Sequence, residues 1–199
     1  MKERIKTMAG ALVALAVCAA AAPAFARDAT GTGSEPGRHS ASRRDAVRDA
    51  EATAAAFRRA DPSLSRFFSS ALGYAVFPSV GKGAAGVGAA YGTGVLFERG
   101  KPTGRATLTQ VTIGPQIGGQ AYSEVVFFET RKSIVDFKKG ELTMAAQVSA
   151  VAVKAGASAN ARYARGVAVF TLTKGGLMAE ASVGGQRFDY RQFAKAKTM

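Results

Sequence analysis

The sequence predicts an α+β fold, mostly β: a glycine-rich, strongly bent antiparallel sheet or small β-barrel, with N-terminal helices and one inserted helix. Three observations carry this expectation. Twelve of the 23 glycines fall between Gly73 and Gly119, interleaved with Val, Tyr, Thr, Leu and Phe. Glycine at that density in strands permits sharp coiling and close approach of backbones. Ahead of that region, Val47, Ala50, Ala54 and Phe57 repeat at three- and four-residue spacing, the period of a helix. Beyond it, Thr130 and Gly140 bracket Ile134, Val135 and Phe137 with the start and stop signals of a short helix.

Taken in order, the chain opens on a positive segment (Lys2, Arg4, Lys6) and an uncharged apolar run from Met8 to Ala22. Ala24-Phe25-Ala26 then supplies the small-x-small pattern of a cleavage site, so residues 1–26 read as a signal peptide. Lipoprotein processing at Cys18 is the rival reading and fits worse, because Val17 stands where a small residue is favoured. The expected compartment is therefore outside the cytoplasm, periplasmic or envelope-associated. Residues 27–42 are rich in Gly, Ser and Thr without apolar periodicity, and read as a flexible linker that holds the single histidine, His39. The domain proper is expected over 43–199.

Its helices should run Ser42–Ala60 and, from the cap-then-proline signal Asp61-Pro62, through Leu64, Phe67, Phe68 and Leu72 to Gly73. The first is basic (Arg43, Arg44, Arg48, Arg58, Arg59), but its apolar stripe is mostly Ala, which favours packing on the domain over membrane insertion. Strands are expected at Tyr74–Val80, Gly94–Glu98, Arg105–Ile113, Glu124–Glu129, Leu142–Val153, Val167–Thr173 and Leu177–Val183, with a hairpin at Lys174-Gly175-Gly176.

Composition narrows the chemistry. Lys and Arg number 27 against 14 acids, a formal net charge of +13, and removal of residues 1–26 leaves 24 − 13 = +11. Anionic partners are therefore favoured. One Cys and one His give neither a disulfide within the chain nor a convincing metal or cofactor centre. A Ser-His-Asp arrangement has no positioned histidine, and the acids from Glu98 to Asp189 show no pair at a telling spacing, so a non-enzyme is expected. Gly81-Lys82-Gly83-Ala84-Ala85-Gly86 matches G-x-G-x-x-G, but the dinucleotide fingerprint needs a helix next. The glycines at 88, 92 and 94 forbid one, at about 1 kcal/mol each.

The run Gly73-Tyr74-Ala75-Val76-Phe77-Pro78-Ser79-Val80-Gly81-Lys82-Gly83 resembles the opening signature of the SYLF-domain family. Gly86-Val87-Gly88, Tyr91-Gly92 and Gly94-Val95-Leu96 follow in that family's order, then Gln116 to Gln120 and Ser123-Glu124-Val125-Val126. The closing Arg165-Gly166-Val167, Gly175-Gly176-Leu177 and Glu180 to Val183 resemble its ending, and coverage is roughly Ala50 to Phe193. Pro115 before Gln116, and Glu124 in place of the commoner Asp, depart from the pattern. The resemblance implies a lipid-binding domain that recognises anionic phospholipid headgroups, phosphoinositide-like, at a membrane surface.

Lys82, Arg131, Lys132, Lys138 and Lys139 are the expected headgroup contacts. Each juxtamembrane cation is worth about 1 kcal/mol at an anionic surface, so a cluster matters where one charge does not. The alternative is a structural or envelope-assembly protein that acts through protein–protein contacts. Nucleic acid is disfavoured, because the basic residues lack interleaved aromatics and export removes the target.

Overall fold

Two very long strands organise the molecule. In a computed structural model that describes residues 36–142, 150–152, 156, 158–173 and 185–194, β1 (Gly73–Glu98) and β2 (Lys101–Phe128) pair antiparallel along their whole length. The expected strands at Tyr74–Val80 and Gly94–Glu98 are the two ends of β1, and Arg105–Ile113 lies in β2, as does Glu124–Glu129 except for Glu129, one residue past its end. Arg99 and Gly100, with φ of 50° and 74°, make the two-residue turn between them, the twist a tight hairpin needs. Register shifts at Phe77/Val80 and Ala85/Val87 interrupt the ladder, and such irregularities bend a strand.

The other edge of β2 is shared. Its C-terminal part, Tyr122–Phe128, pairs antiparallel with β4 (Val167–Thr173), and its N-terminal part, Gly104–Gln110, pairs antiparallel with β5 (Gln186–Gln192). A short β3 (Ala150–Ala152) adds to β4 in parallel. The sheet is strongly bent and is not closed into a barrel, which decides between the two expected architectures. The bend brings β1 back on itself. A Cβ on Gly92 would lie 2.8 Å from Val80 Cγ2, and one on Gly94 would lie 2.8 Å from Phe77 Cδ1 and against the carbonyl oxygen of Val76. Only a residue without a side chain fits there.

Alternation along the strands divides the buried residues between two cores. Phe77, Leu96, Leu108, Val126, Phe128, Val169 and Phe188 line the inside of the bend, where Phe77 and Phe188 approach to 5.9 Å. Val76, Val95, Phe97, Val125, Phe127, Ala168 and Phe170 face the other way. That outer core is covered by α1 (Pro36–Ala60), through Ala50, Ala54 and Phe57, and by a 3₁₀ turn (Pro62–Leu64) that leads into α2 (Ser65–Ser70), through Leu64 and Phe67. Each fully buried phenylalanine contributes about 1.5–3 kcal/mol. No helix among the described residues is long and apolar enough to cross a membrane.

Some boundaries differ from expectation for physical reasons. The first helix begins at Pro36, inside the expected linker, and His39 lies in its first turns. Pro suits a helix start because its missing N–H has no partner there in any case. The second helix stops at Ser70, and Gly73 opens β1 instead of capping it. Asp61 caps as expected and does more. Its buried carboxylate accepts from Ser63 N (3.0 Å), Ser63 Oγ (2.6 Å), Ser158 N (2.8 Å) and Ser158 Oγ (2.7 Å), so the segment around Ser158 is tied to the start of the 3₁₀ turn. Burial alone would raise this carboxyl's pKa. The bonds from Ser63 and Ser158 outweigh it and hold the group far below the usual range.

β5 was not expected, and of the span Leu142–Val153 only Ala150–Ala152 is described as strand. The expected signal peptide, the strand Leu177–Val183 and the hairpin at 174–176 lie outside the described residues, as does most of the linker.

Candidate functional site

The inserted helix supplies one wall of a surface groove. Thr130 begins α3 (Arg131–Lys139) by accepting the backbone N–H of Ser133 at 3.1 Å. Gly140 ends it with φ 72° and donates back to the carbonyls of Asp136 and Phe137, the left-handed cap that glycine adopts without penalty. Between the caps Ile134 and Phe137 turn inward, with Phe137 5.0 Å from both Phe128 and Phe188. That anchorage leaves Arg131 and Val135 outward.

Opposite stands the tip of the β1–β2 hairpin, drawn in by a bond from Arg99 N to the carbonyl of Leu72 (3.3 Å). The groove between them holds about 440 Å³ and is lined by Leu72, Arg99, Arg131, Ile134, Val135 and Lys138, among others. Leu72 and Val135 are 44% and 41% exposed. Lys138 is neutralised by Glu98 at 2.6 Å and lies over the ring of Tyr190 at 5.4 Å. Arg99 and Arg131 make no ion pair among the described residues. The outcome is an apolar floor beside two uncompensated guanidinium groups.

The five expected contacts do not form one patch. Arg131 and Lys138 line this groove together, as their spacing of two turns requires. Lys132 turns to Asp136 at 2.6 Å, which raises the pKa of its ammonium group. Lys139 lies beside a different groove and approaches Glu141 at 3.9 Å. Lys82 sits in β1 opposite Gln120, half-buried and outside both grooves. The G-x-G-x-x-G segment around it runs on as strand. Leu72 and Arg99 were missed. The signal for Arg99 was available, since Arg99-Gly100 between two strand patterns is a two-residue turn, and a turn displays its first side chain.

The arginines of α1 are partly engaged: Arg58 lies over the ring of Phe68 at 3.8 Å, and Arg43 lies over Phe193 at 4.7 Å and bonds the carbonyl of Ala194. This is the packed arrangement expected of that helix.

Inside the bend sits a second polar feature. Glu124 is fully buried, facing Phe77 on β1 and Thr171 on β4, and its Oε2 accepts from Gln186 Nε2 at 3.0 Å. Glu124 Oε1, Thr171 Oγ1 and Gln186 Oε1 have no partner among the described residues. Burial pushes the Glu124 carboxyl up to about 7 against the smaller opposing effect of Gln186. Burial and the neighbouring Glu124 likewise push the Tyr122 phenol up. Among the described residues no group of three or more His, Cys, Asp or Glu could hold a metal ion.

Comparison with known proteins bears on this geometry. Residues 109–198 match the Ysc84 family model, described as Las17-binding protein actin regulator. That stretch includes β2 from Thr109, α3, β4 and β5, and the opening motif at Gly73 lies ahead of it. A curated protein, beta cell expansion factor A of Aeromonas veronii, is 30% identical over 130 residues, 64% of this chain and 49% of that protein. The chain thus spans about half the length of that relative.

Proposed function

We propose, for a chain whose residues 109–198 belong to the Ysc84 (SYLF) family, that it is an exported, non-enzymatic binding protein which docks on anionic phospholipid at a membrane surface. The family is known for lipid- and actin-related binding. What carries the finer reading is one arrangement: Leu72 and Val135 exposed in a groove whose rim holds Arg99 and Arg131 without acidic partners among the described residues. Apolar side chains gain by entering the headgroup boundary, and each guanidinium beside them adds about 1 kcal/mol at an anionic leaflet. Neither half suffices alone, because two partly exposed aliphatic groups and two charges each give only marginal affinity.

Vesicle co-sedimentation tests this. The protein should sediment with vesicles of phosphatidylglycerol in phosphatidylcholine and not with phosphatidylcholine alone. Arg99→Gln/Arg131→Gln and Leu72→Ser/Val135→Ser should each lower the bound fraction at least about tenfold in partition coefficient, the equivalent of losing about 1.4 kcal/mol. Unchanged sedimentation of both variants would overturn the reading and move attention to a protein partner, which the description of the matched family names for its own members.

A further inference from the structure

A second groove, of about 550 Å³, shares Lys138 with the first but has a different character. Its floor is set by strand register: Thr93 stands opposite Thr107, Thr107 opposite Asp189, and Arg105 opposite Arg191. Side chains directly opposite on antiparallel strands share a face, and like charges so placed destabilise the pair. Here the register sets two arginines opposite each other and, among the described residues, neither reaches a carboxylate. Arg105 spends one nitrogen on Ser42, donating to its carbonyl oxygen at 3.2 Å and to its Oγ at 3.1 Å.

The local charge can be counted. Lys138 is cancelled by Glu98, and Lys139 keeps only a loose, exposed contact with Glu141 at 3.9 Å. Arg105, Arg191 and Lys139 less the lining acid Asp189 leave +2. Among the described residues no Leu, Ile, Val, Phe or Met lines the groove, and its hydroxyls come from Tyr91, Thr93, Thr107 and Tyr190. Such a lining accepts a polar headgroup and rejects an acyl chain. Its volume lies within the usual range for small-ligand sites, about 300–1,000 Å³. Guanidinium groups bind phosphate oxygens in bidentate fashion.

We infer that this groove is an anion site that takes a phosphomonoester dianion between Arg105 and Arg191. The ester's two charges answer the +2 of the groove, and the anion relieves the repulsion across the β2–β5 pair. The site stands on its own observation and does not require the Leu72 groove to bind bilayers.

The experiment titrates the full chain with glycerol phosphate, a soluble phosphomonoester, and with dimethyl phosphate, a diester. In parallel, vesicles with phosphatidic acid are compared with phosphatidylglycerol vesicles of equal charge. A monoester preference in the soluble arm assigns a free ligand; a preference confined to phosphatidic acid vesicles assigns a lipid-borne one. In either case Arg105→Gln/Arg191→Gln should weaken the preferred ligand at least about tenfold. Arg191→Gln alone, which leaves the Ser42 contacts in place, should weaken it in the same direction. Asp189→Asn should tighten it a few-fold, a gain that misfolding does not produce. Leu72→Ser/Val135→Ser should leave the soluble monoester unaffected, so undiminished bilayer binding in that variant with monoester binding intact counts against the first groove alone. No monoester preference in either arm, or unchanged affinity in the double arginine variant, overturns the inference.

Discussion

Glu124 is a glutamate inside an apolar bend, and the hydrogen bond it accepts from Gln186 leaves its other carboxyl oxygen without a donor among the described residues. Burial favours the neutral acid, so its pKa of about 7 in the folded chain lies above the value of about 4.3 expected unfolded. The folded state then binds the extra proton between those values. Stability from this group is full below about pH 4 and is lost as pH rises through 7, by on the order of 3 kcal/mol. Glu124→Gln keeps the shape without the ionisation, so its thermal midpoint should exceed the parent's at pH 8 and depend less on pH from 5 to 8. Parallel profiles for the two proteins would reject this. Gly94 makes a different residue-scale case. Gly94→Ala drives a Cβ against Val76 O and Phe77 Cδ1, and overpacking of that kind costs about 1–3 kcal/mol. Gly81, where an added Cβ meets nothing within 4 Å, is the control: Gly81→Ala should stay within about 0.5 kcal/mol of the parent. Urea unfolding of the two variants measures the difference.

At the scale of elements, α3 is nine residues long, too short to persist in water without packing and caps. Its position rests on Phe137 between Phe128 and Phe188, and on Ser133 Oγ donating to the carbonyl of Gly166 at 3.1 Å. Its start rests on Thr130. Thr130→Ala should cost about 1 kcal/mol while Thr130→Ser, which keeps the accepting oxygen, stays close to the parent; equal loss in both would show that the cap is not the cause. The hairpin turn works on the same groove from the other side. It carries Arg99 to the rim and fixes Leu72 through the backbone, so the site joins two elements far apart in sequence.

For the whole molecule, charge outside any one site sets the range of attraction. With +13 over 199 residues, an anionic surface draws the chain in before any groove engages. Screening shortens that reach from about 10 Å at 0.1 M salt to about 3 Å at 1 M. Sedimentation with phosphatidylglycerol vesicles should therefore fall steeply over that range in the parent. The Arg99→Gln/Arg131→Gln variant should show a shallower slope. Identical slopes would mean that binding draws on diffuse charge alone.

The sequence by itself determined the β-rich class, the caps of α3 and the family resemblance, because each depends on local chemistry: glycine density, cap residues and ordered short motifs. Thr130 and Gly140 announce a helix wherever they sit, and Val167–Thr173 alternates as a strand whatever it pairs with. Which cations stay free was settled by tertiary structure. Lys132 is spent within its own helix on Asp136, four residues on, and Lys138 is spent on Glu98 across the fold. Arg131, one residue from Lys132, remains unpaired among the described residues. Arg105 and Arg191 lie 86 positions apart and become neighbours through the β2–β5 register alone. β5 itself was illegible because Gln186–Gln192 buries only Gln186 and Phe188 fully, too thin an alternation to declare a strand until β2 offers it an edge.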